Sequence, residues 1–498
     1  MNEIQLHLFI FPAFLSLFLL WSIKRWLYKP EPKKKSPPSP PKLPIIGHIH
    51  QLGSLPHQSL HSLAQKYGPL MLLHFGRVPV LVVSSADAAS EILKTHDLAF
   101  ASRPDFKAFK KLMYDGKNVT FSPYGEYWRK VKSMFALQLL NARRVQSFRP
   151  IREDETALLV KRIGESLGTV NLSEMFAEVT NDVICRSAFG TKYRVMGNGK
   201  QLLKSMVELM ELLGSISIGD FVPWLGWIDR VSGLDHKLKY VGKEVDDFLE
   251  HVIRQRVEAR KRKAVLEKGG ESFLDVLLEI YDENAAAHSI SIGRDNIKAL
   301  ILDVIEGGSD TISTTLEWVM TELLRHPTVM KILQKEVREI VKDKKDISED
   351  DIGKMQYLKA VIKESFRYHP PAPLLAHRVA REDVKVKSYD ISKGTLVMVN
   401  VWSIGRDPSY WDEPEKFKPE RFLTNLKESS FGWIPFGAGR RGCPGMTYSM
   451  AMIELLVANI VHKFDWKLPK GVVLDMTERA GITIHRATPL LALASKAT

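Results

Sequence analysis

The chain has 498 residues, of which 45% are hydrophobic and 26% charged, a usage that excludes a disordered polymer and requires a large buried core. The formal net charge of +13 could suit nucleic acid, but seven basic residues cluster between Lys24 and Lys42, which directs the reading to a membrane surface instead. Two cysteines, Cys185 and Cys443, stand in unlike contexts, which excludes a disulfide framework and fits a reducing compartment.

From Leu6 to Leu27 the chain is mostly Leu, Phe, Ile and Trp, and a helix of that length rises roughly 33 Å, enough for a thin bilayer. Lys24, Arg25, Trp26 and Lys29 then appear where a cleaved signal peptide would need small residues. Residues 1–28 therefore read as an uncleaved membrane anchor, with a cleaved signal as the alternative, and the positive-inside rule leaves everything after it in the cytosol. The segment 30–44, PEPKKKSPPSPPKLP, favours extended polyproline geometry, so 29–45 reads as a short basic hinge, or else as a docking ligand. No linker follows, and 46–498 is expected to be one domain. The glycosylation pattern at Asn118 and Asn171 matters only in a lumenal chain.

Dense β-branched and apolar runs predict strands at Leu70 to Phe75 and Val78 to Ser84, turned by Gly76 and Arg77. Apolar spacing of three and four then predicts helices at Ala86 to Lys94, Glu126 to Leu137, Glu153 to Ser166, Leu172 to Phe189, Gly199 to Leu213, Leu234 to Glu267, Ser272 to Asp282 and Arg294 to Leu324. Strand-rich stretches return at Val384 to Val399, Gly481 to His485 and Leu490 to Leu493. The chain is thus mainly helical with small sheets, and no internal repeat is visible.

The segment PFGAGRRGCPG, Pro435 to Gly445, presents one cysteine on a Gly-rich loop before a long apolar helical pattern, Met446 to His462. A helix start with nearby arginines lowers a thiol pKa, and the thiolate is the form that binds metal. Backbone N–H groups freed by the glycines can also donate to the sulfur.

This loop resembles the Phe-x-x-Gly-x-Arg-x-Cys-x-Gly signature of the cytochrome P-450 superfamily, with Phe436, Gly439, Arg441, Cys443 and Gly445 in the fixed places. The resemblance implies haem b with Cys443 as axial iron ligand, Phe436 shielding it and Arg441 on a haem propionate. It also implies the P-450 fold, here preceded by one N-terminal transmembrane helix. Trp128 and Lys132 occupy the family's Trp-x-x-x-Arg place, lysine keeping the charge but losing the bidentate fork, and Arg378 is a further propionate ligand. His377, before that arginine, departs from the proline of many plant members. Glu364 and Arg367, three apart, with Arg421 of Pro419-Glu420-Arg421-Phe422, resemble the family's buried structural network behind the haem.

In DVIEGGSDTISTTLEW, Asp303 to Trp318, the pair Gly307-Gly308 weakens a helix by about 1 kcal/mol per residue, so close packing or a need for space is expected. The segment resembles the family's oxygen-binding kink, which implies Thr311 as the hydroxyl beside bound oxygen and Asp310 as the acid that feeds protons to it. The hinge, Phe100 to Pro104, Tyr124 to Trp128 and Trp224 to Trp227 look like the large plant microsomal group that oxidises alkaloids, terpenoids and phenolics. Substrate-facing positions implied by the family include Ile305, Glu306, Gly307, Ala372, Leu374 and Ile482. Glu306 is the polar exception: either it is paired with protein groups or turned to solvent, or it meets a basic nitrogen or hydroxyl of the substrate, favouring an alkaloid.

The expected function is therefore an NADPH-dependent haem-thiolate monooxygenase of the endoplasmic reticulum membrane. It acts on a small lipophilic plant metabolite by hydroxylation, desaturation or oxidative cyclisation. NADPH-cytochrome P-450 reductase supplies electrons, cytochrome b5 is a candidate second donor, and no nucleic acid is involved. A haem-thiolate isomerase or lyase and a non-catalytic haem protein are the competing classes; both fit poorly with an intact Asp310-Thr311 pair.

Overall fold

The computed structural model describes residue 16 and residues 35–497, apart from 167, 193–198, 262–270, 288–291, 343, 345, 425–430 and 480. The expected anchor and the start of the hinge lie outside the described residues, and none of the described helices is long and apolar enough to cross a membrane. The end of the hinge is fastened to the domain: Asp390 N donates to Lys35 O (2.8 Å) and Leu72 N to Pro38 O (3.0 Å).

Strands β1 (Leu70–Phe75) and β2 (Val78–Val83) form the expected hairpin, in register from Leu70 with Val83 to Phe75 with Val78. Strands β3 (Gly168–Asn171), β4 (Arg378–Val379), β5 (Val384–Val386), β6 (Tyr389–Ile391) and β7 (Leu396–Val399) follow in the chain. The last are β8 (Phe464–Lys467), β9 (Glu478–Arg479), β10 (His485–Arg486) and β11 (Leu491–Lys496). The largest sheet runs β1-β2-β7-β4, with β2 and β7 parallel, and β3-β11-β8 make a second. The outcome is the expected mainly helical architecture with small sheets.

Among the helices, α1 (Glu126–Met134), α2 (Leu172–Phe189) and α3 (Gly199–Leu213) precede a long central one, α4 (Arg294–Arg325). α5 (Gln356–Tyr368) and α6 (Met446–Lys463) complete the set around the site. Two expected helices end early, because Glu91–Thr95 and Phe135–Leu139 are wide π turns, a device common near functional sites. The helix Pro327–Val341 is absent from the sequence expectations although Val329, Met330, Leu333, Val337 and Val341 bury one face at helical spacing.

α4 is buried along most of its length, polar side chains included, and it packs along α2. Its glycine pair does not break it: the helix is continuous from Arg294 to Arg325. The two glycines answer different needs. A Cβ on Gly308 would stand 2.5 Å from Ile184 Cδ1 of α2, whereas a Cβ on Gly307 would meet nothing within 4 Å. Gly308 permits close helix packing, and Gly307 faces open space.

Gly76, in the β1–β2 turn, adopts φ +55°, and an added Cβ would lie 2.3 Å from Phe221 O. Gly76→Ala should lower unfolding stability by about 1–3 kcal/mol in urea titration, through left-handed strain and steric overlap together. An unchanged midpoint would contradict that close approach.

Candidate active site

The cysteine loop is folded by its own backbone: Cys443 N donates to Phe436 O (2.9 Å), and Gly437 and Gly439 take φ +67° and +68°. At Gly439 a Cβ would come 2.4 Å from Leu93 O, so glycine is the residue that fits. Phe436 packs on Phe366 of α5 with ring centroids 5.0 Å apart. Gly445 caps α6, and the N–H groups of Gly445 and Met446 point at the sulfur.

Cys443 keeps accessible surface, yet enough protein surrounds it to desolvate it, as for a side chain lining an interior recess. Burial pushes its thiol pKa up, and this outweighs the Gly445 and Met446 N–H groups and the Lys132 charge. The expectation of a lowered pKa is therefore corrected. The neighbouring arginines are engaged elsewhere: Arg440 Nε lies 3.4 Å from Asp97 Oδ2, and Arg441 donates to backbone carbonyls. The Lys132 charge alone does not offset burial, whereas a metal ion deprotonates a coordinating thiol outright.

Arg441 donates to Ala101 O (2.7 Å), Val119 O (3.2 Å) and Ser122 O (2.6 Å), and its guanidinium lies 4.0 Å from the Trp128 ring centroid. Trp128 Nε1 donates to the same Val119 O (3.0 Å), so α1 and the loop before it share one anchor. Arg378 bridges Asp97 Oδ1 (3.1 Å) and Ala438 O (2.7 Å), and Lys132 Nζ reaches Gly442 O (3.1 Å). Arg103 joins them, donating to Thr120 O (2.8 Å), Ala376 O (2.5 Å) and His377 O (2.7 Å). Sequence reasoning missed it as a site residue; its signal is a lone arginine in the apolar run Phe100 to Pro104.

Burial depresses the pKa of all four cations, Arg441 to about 9 and Arg103 well below its ordinary value, and mutual repulsion adds to the effect for Arg103, Arg441 and Lys132. Asp97 is the carboxylate hydrogen-bonded to this group among the described residues. Such an excess of buried positive charge fits a dianionic ligand, and the recessed Cys443 sulfur beside it fits that ligand's metal, so the residues present suit haem.

Gly307 of α4 offers the open space. Thr311 Oγ1 donates to Gly307 O (2.6 Å). Asp310 accepts from Thr483 Oγ1 and stands 3.1 Å from His485 Nε2. Burial alone would raise its pKa, but the His485 and Thr483 partners hold it below the ordinary value. Asp310 is therefore a tethered carboxyl group, held by a threonine and a histidine.

Glu306 is 9% exposed, and its Oε1 has no hydrogen-bond partner. No protein group pairs with it, and burial, with Asp303 and Asp310 nearby, lifts its pKa well above the ordinary value. Asp303, a residue sequence reasoning missed, accepts from Asn118 Nδ2 (2.8 Å) and Val119 N (2.6 Å), and burial raises it to about 6. Ile305 is a further correction: it lies about 200° around α4 from Gly307 and is 2% exposed within the main core, so it packs instead of facing open space. Ala372, Leu374 and Ile482 are brought to one region, because Ile484 N donates to Pro371 O (2.9 Å) and Leu375 N to Ala372 O (3.0 Å). His377 is driven down to about 4 by burial and the Arg103 charge.

The family profile described as Cytochrome P450 matches residues 37–492. The chain belongs to the cytochrome P450 family. It is 53% identical over 503 residues to Cytochrome P450 71A8 of Mentha piperita, covering 100% of this chain and 97% of that one. Norfluorocurarine oxidase of Strychnos sp is 46% identical, with 96% of each chain covered. Tabersonine/lochnericine 19-hydroxylase of Catharanthus roseus is also 46% identical, covering 98% and 97%. Among solved structures, a zebra fish cytochrome P450 with progesterone superposes with a TM-score of 0.76 at 26% identity, covering 89% of this chain and 99% of that one. This P450 is accordingly an oxidoreductase, a haem-dependent monooxygenase of the plant cytochrome P450 71 type.

Beneath the cysteine loop of this P450 lies a buried charge network. Arg367 binds Glu364 through two bonds (2.7 and 2.8 Å), and Arg421 Nε reaches Glu364 Oε1 (3.1 Å). Arg367 also donates to Gly405 O, Pro414 O and Lys416 O, so α5 is tied to the segment leading into the cysteine loop. Both Glu364 and Arg367 have no exposed side-chain surface. Glu364→Ala leaves two cations without their carboxylate and should cost about 3–5 kcal/mol of unfolding free energy in urea. A loss below about 1 kcal/mol would contradict a buried, fully paired network.

Proposed function

We propose that this P450 oxidises a small lipophilic plant metabolite bearing a basic nitrogen, an alkaloid, with electrons from NADPH passed through its reductase. The observation that carries this reading is Glu306, a buried carboxyl beside the open face of Gly307 and without a protein partner. A group so placed is costly unless a ligand satisfies it. The printed names of two relatives, an oxidase of norfluorocurarine and a hydroxylase of tabersonine and lochnericine, agree with that choice. The raised Glu306 pKa favours a second reading, in which the neutral acid donates to a hydroxyl or carbonyl oxygen of a terpenoid or phenolic.

In this account Cys443 would hold the haem iron, with Phe436, Gly439 and Gly445 shaping its loop. Trp128, Lys132, Arg378, Arg441 and Arg103 would hold the two carboxylates of the haem. The haem, when bound, supplies reductive activation of dioxygen. The protein's own residues do the rest. Gly307 leaves room, and the Thr311 hydroxyl can exchange its bond to Gly307 O for one to a ligand. Asp310 carries protons, and Glu306, Ala372, Leu374 and Ile482 orient the substrate. The net result is hydroxylation, desaturation or oxidative cyclisation.

An endoplasmic reticulum location is supported by the apolar sequence of residues 1–28, the basic stretch 29–45, and an exposed apolar face beside the hinge's end. Ile45, Trp224, Trp227 and Val231 are 60%, 46%, 57% and 78% exposed, and Gly76 N to Ile46 O together with Arg77 over the Trp224 ring brings the first two segments together. Cytochrome b5 is a second electron donor compatible with that location.

The test is spectral titration of full-length protein in reductase-supplied microsomes with an alkaloid panel and neutral analogues lacking the nitrogen. Glu306→Ala should weaken amine binding at least about tenfold, roughly 1.4 kcal/mol, while haem content stays level. Because a protonated amine displaces the Glu306 proton, wild-type affinity should strengthen as pH rises toward the amine's own pKa. Equal amine binding by wild type and variant would overturn the reading.

A further inference from the structure

Asp310 does not reach its surroundings alone. Its carboxylate is shared by Thr483 Oγ1 and by His485, whose Nε2 lies 3.1 Å from Oδ1 and 3.3 Å from Oδ2. The other ring nitrogen, Nδ1, lies 3.0 Å from Thr314 Oγ1, and Thr314 is buried one turn further along α4. The same hydroxyl lies 3.5 Å from Nε2, so Thr314 and Asp310 together hold the ring against α4. It stands on β10 opposite Arg479 of β9, and the side chains of His485 and Asp310 retain 22% and 23% exposure, so water can reach the pair.

We infer that His485 is a positioning and proton-supplying residue for the monooxygenase reaction, the group that charges Asp310 with each proton it passes inward. The inference rests on the monooxygenase reading and on Asp310 as its proton carrier. The proton balance is simple. The imidazolium gives Nε2–H to the Asp310 carboxylate, leaving neutral imidazole and a neutral acid. Asp310 releases that proton on the Thr311 side, and water reprotonates His485. One proton moves from solvent to the cavity per pass, and no other co-reactant is needed. Without His485 the carboxylate keeps its Thr483 bond but loses the donor from which it refills.

The surrounding charges are consistent with a resident imidazolium. Burial lowers the His485 pKa, but the hydrogen bond and charge of Asp310 outweigh it, with Glu317 of α4 helping and Arg479 of β9 opposing. Glu317 is itself raised by burial and bonded by Ser173 of α2. Arg486 of β10 turns to Thr321 Oγ1 (3.3 Å), and Thr483 and Thr314 carry no charge. A histidine raised above its ordinary value donates below its folded pKa and stops donating as pH rises through it. Turnover should therefore fall on the alkaline side.

The test uses haem-loaded full-length protein as the diamagnetic reduced carbon monoxide complex, with histidine-specific isotope labelling. The resonance lost in His485→Gln is the one to follow. It should titrate above the ordinary histidine value in wild type and move back toward it in Asp310→Asn. Glutamine keeps a donor beside Asp310 but cannot cycle a proton. His485→Gln should therefore bind substrate as wild type does and yet form several-fold less product per NADPH oxidised, without the alkaline fall in turnover. A His485 resonance that titrates at or below its ordinary value, or one indifferent to Asp310→Asn, overturns the inference. So does full coupling with an unchanged pH profile in His485→Gln. Wild-type product formation with reductase separately tests the monooxygenase reading, and the resonance titration stands whatever substrate proves correct.

Discussion

Four cationic side chains, Arg103, Lys132, Arg378 and Arg441, share the interior beside Cys443, and Asp97 is the described carboxylate bonded into their midst. Buried charge of one sign is among the most costly arrangements a protein can hold, and it persists where a ligand completes it. Much of the surrounding architecture follows from keeping those groups in place. Backbone carbonyls of residues 101, 119, 120 and 122 face inward to solvate Arg103 and Arg441, which fixes the loop before α1. The Glu364 network fixes the chain that leads into the cysteine loop from the other side. The thiol, where burial outweighs the lowering by Gly445, Met446 and Lys132, completes the logic: its sulfur would hold a metal centre and the cations would hold carboxylates.

On α4 three carboxyl groups within eight residues are tuned to three conditions by what each one touches. Asp303 receives two donors from the 118–119 segment and still rises to about 6. Glu306 receives none, and burial lifts its pKa well above the ordinary value. Asp310 receives a threonine and a histidine, which hold its pKa below the ordinary value. Environments that push like groups apart are how one helix can serve substrate binding and proton movement together. The glycines between them divide labour in the same way, Gly308 against Ile184 and Gly307 toward open space.

What could be read in the sequence was local. The cysteine loop declares itself because its glycines, arginines and helix start are contiguous, and the boundaries of α2 and α3 emerge from apolar spacing alone. Cys443, Arg441, Trp128, Lys132 and Arg378 do converge, as did Glu364, Arg367 and Arg421. What could not be read was long-range. Arg103 is a site residue because it meets carbonyls more than 270 positions away, and the state of Asp310 depends on His485, 175 positions downstream. The short strands Gly168–Asn171 and Arg378–Val379 exist because partners pair with them, not because their own residues demand it. Ile305 was misplaced for a simpler reason: a resemblance assigns a stretch, whereas helical geometry assigns a face.

The most direct test of this account is the absorption spectrum of the reduced full-length protein under carbon monoxide, set beside that of Cys443→His. The account predicts haem uptake and the long-wavelength band of thiolate ligation in the wild type, and loss of that band in the variant while the cationic cluster still retains haem. A wild-type spectrum typical of nitrogen-ligated haem, or a thiolate band that survives in Cys443→His, would contradict it.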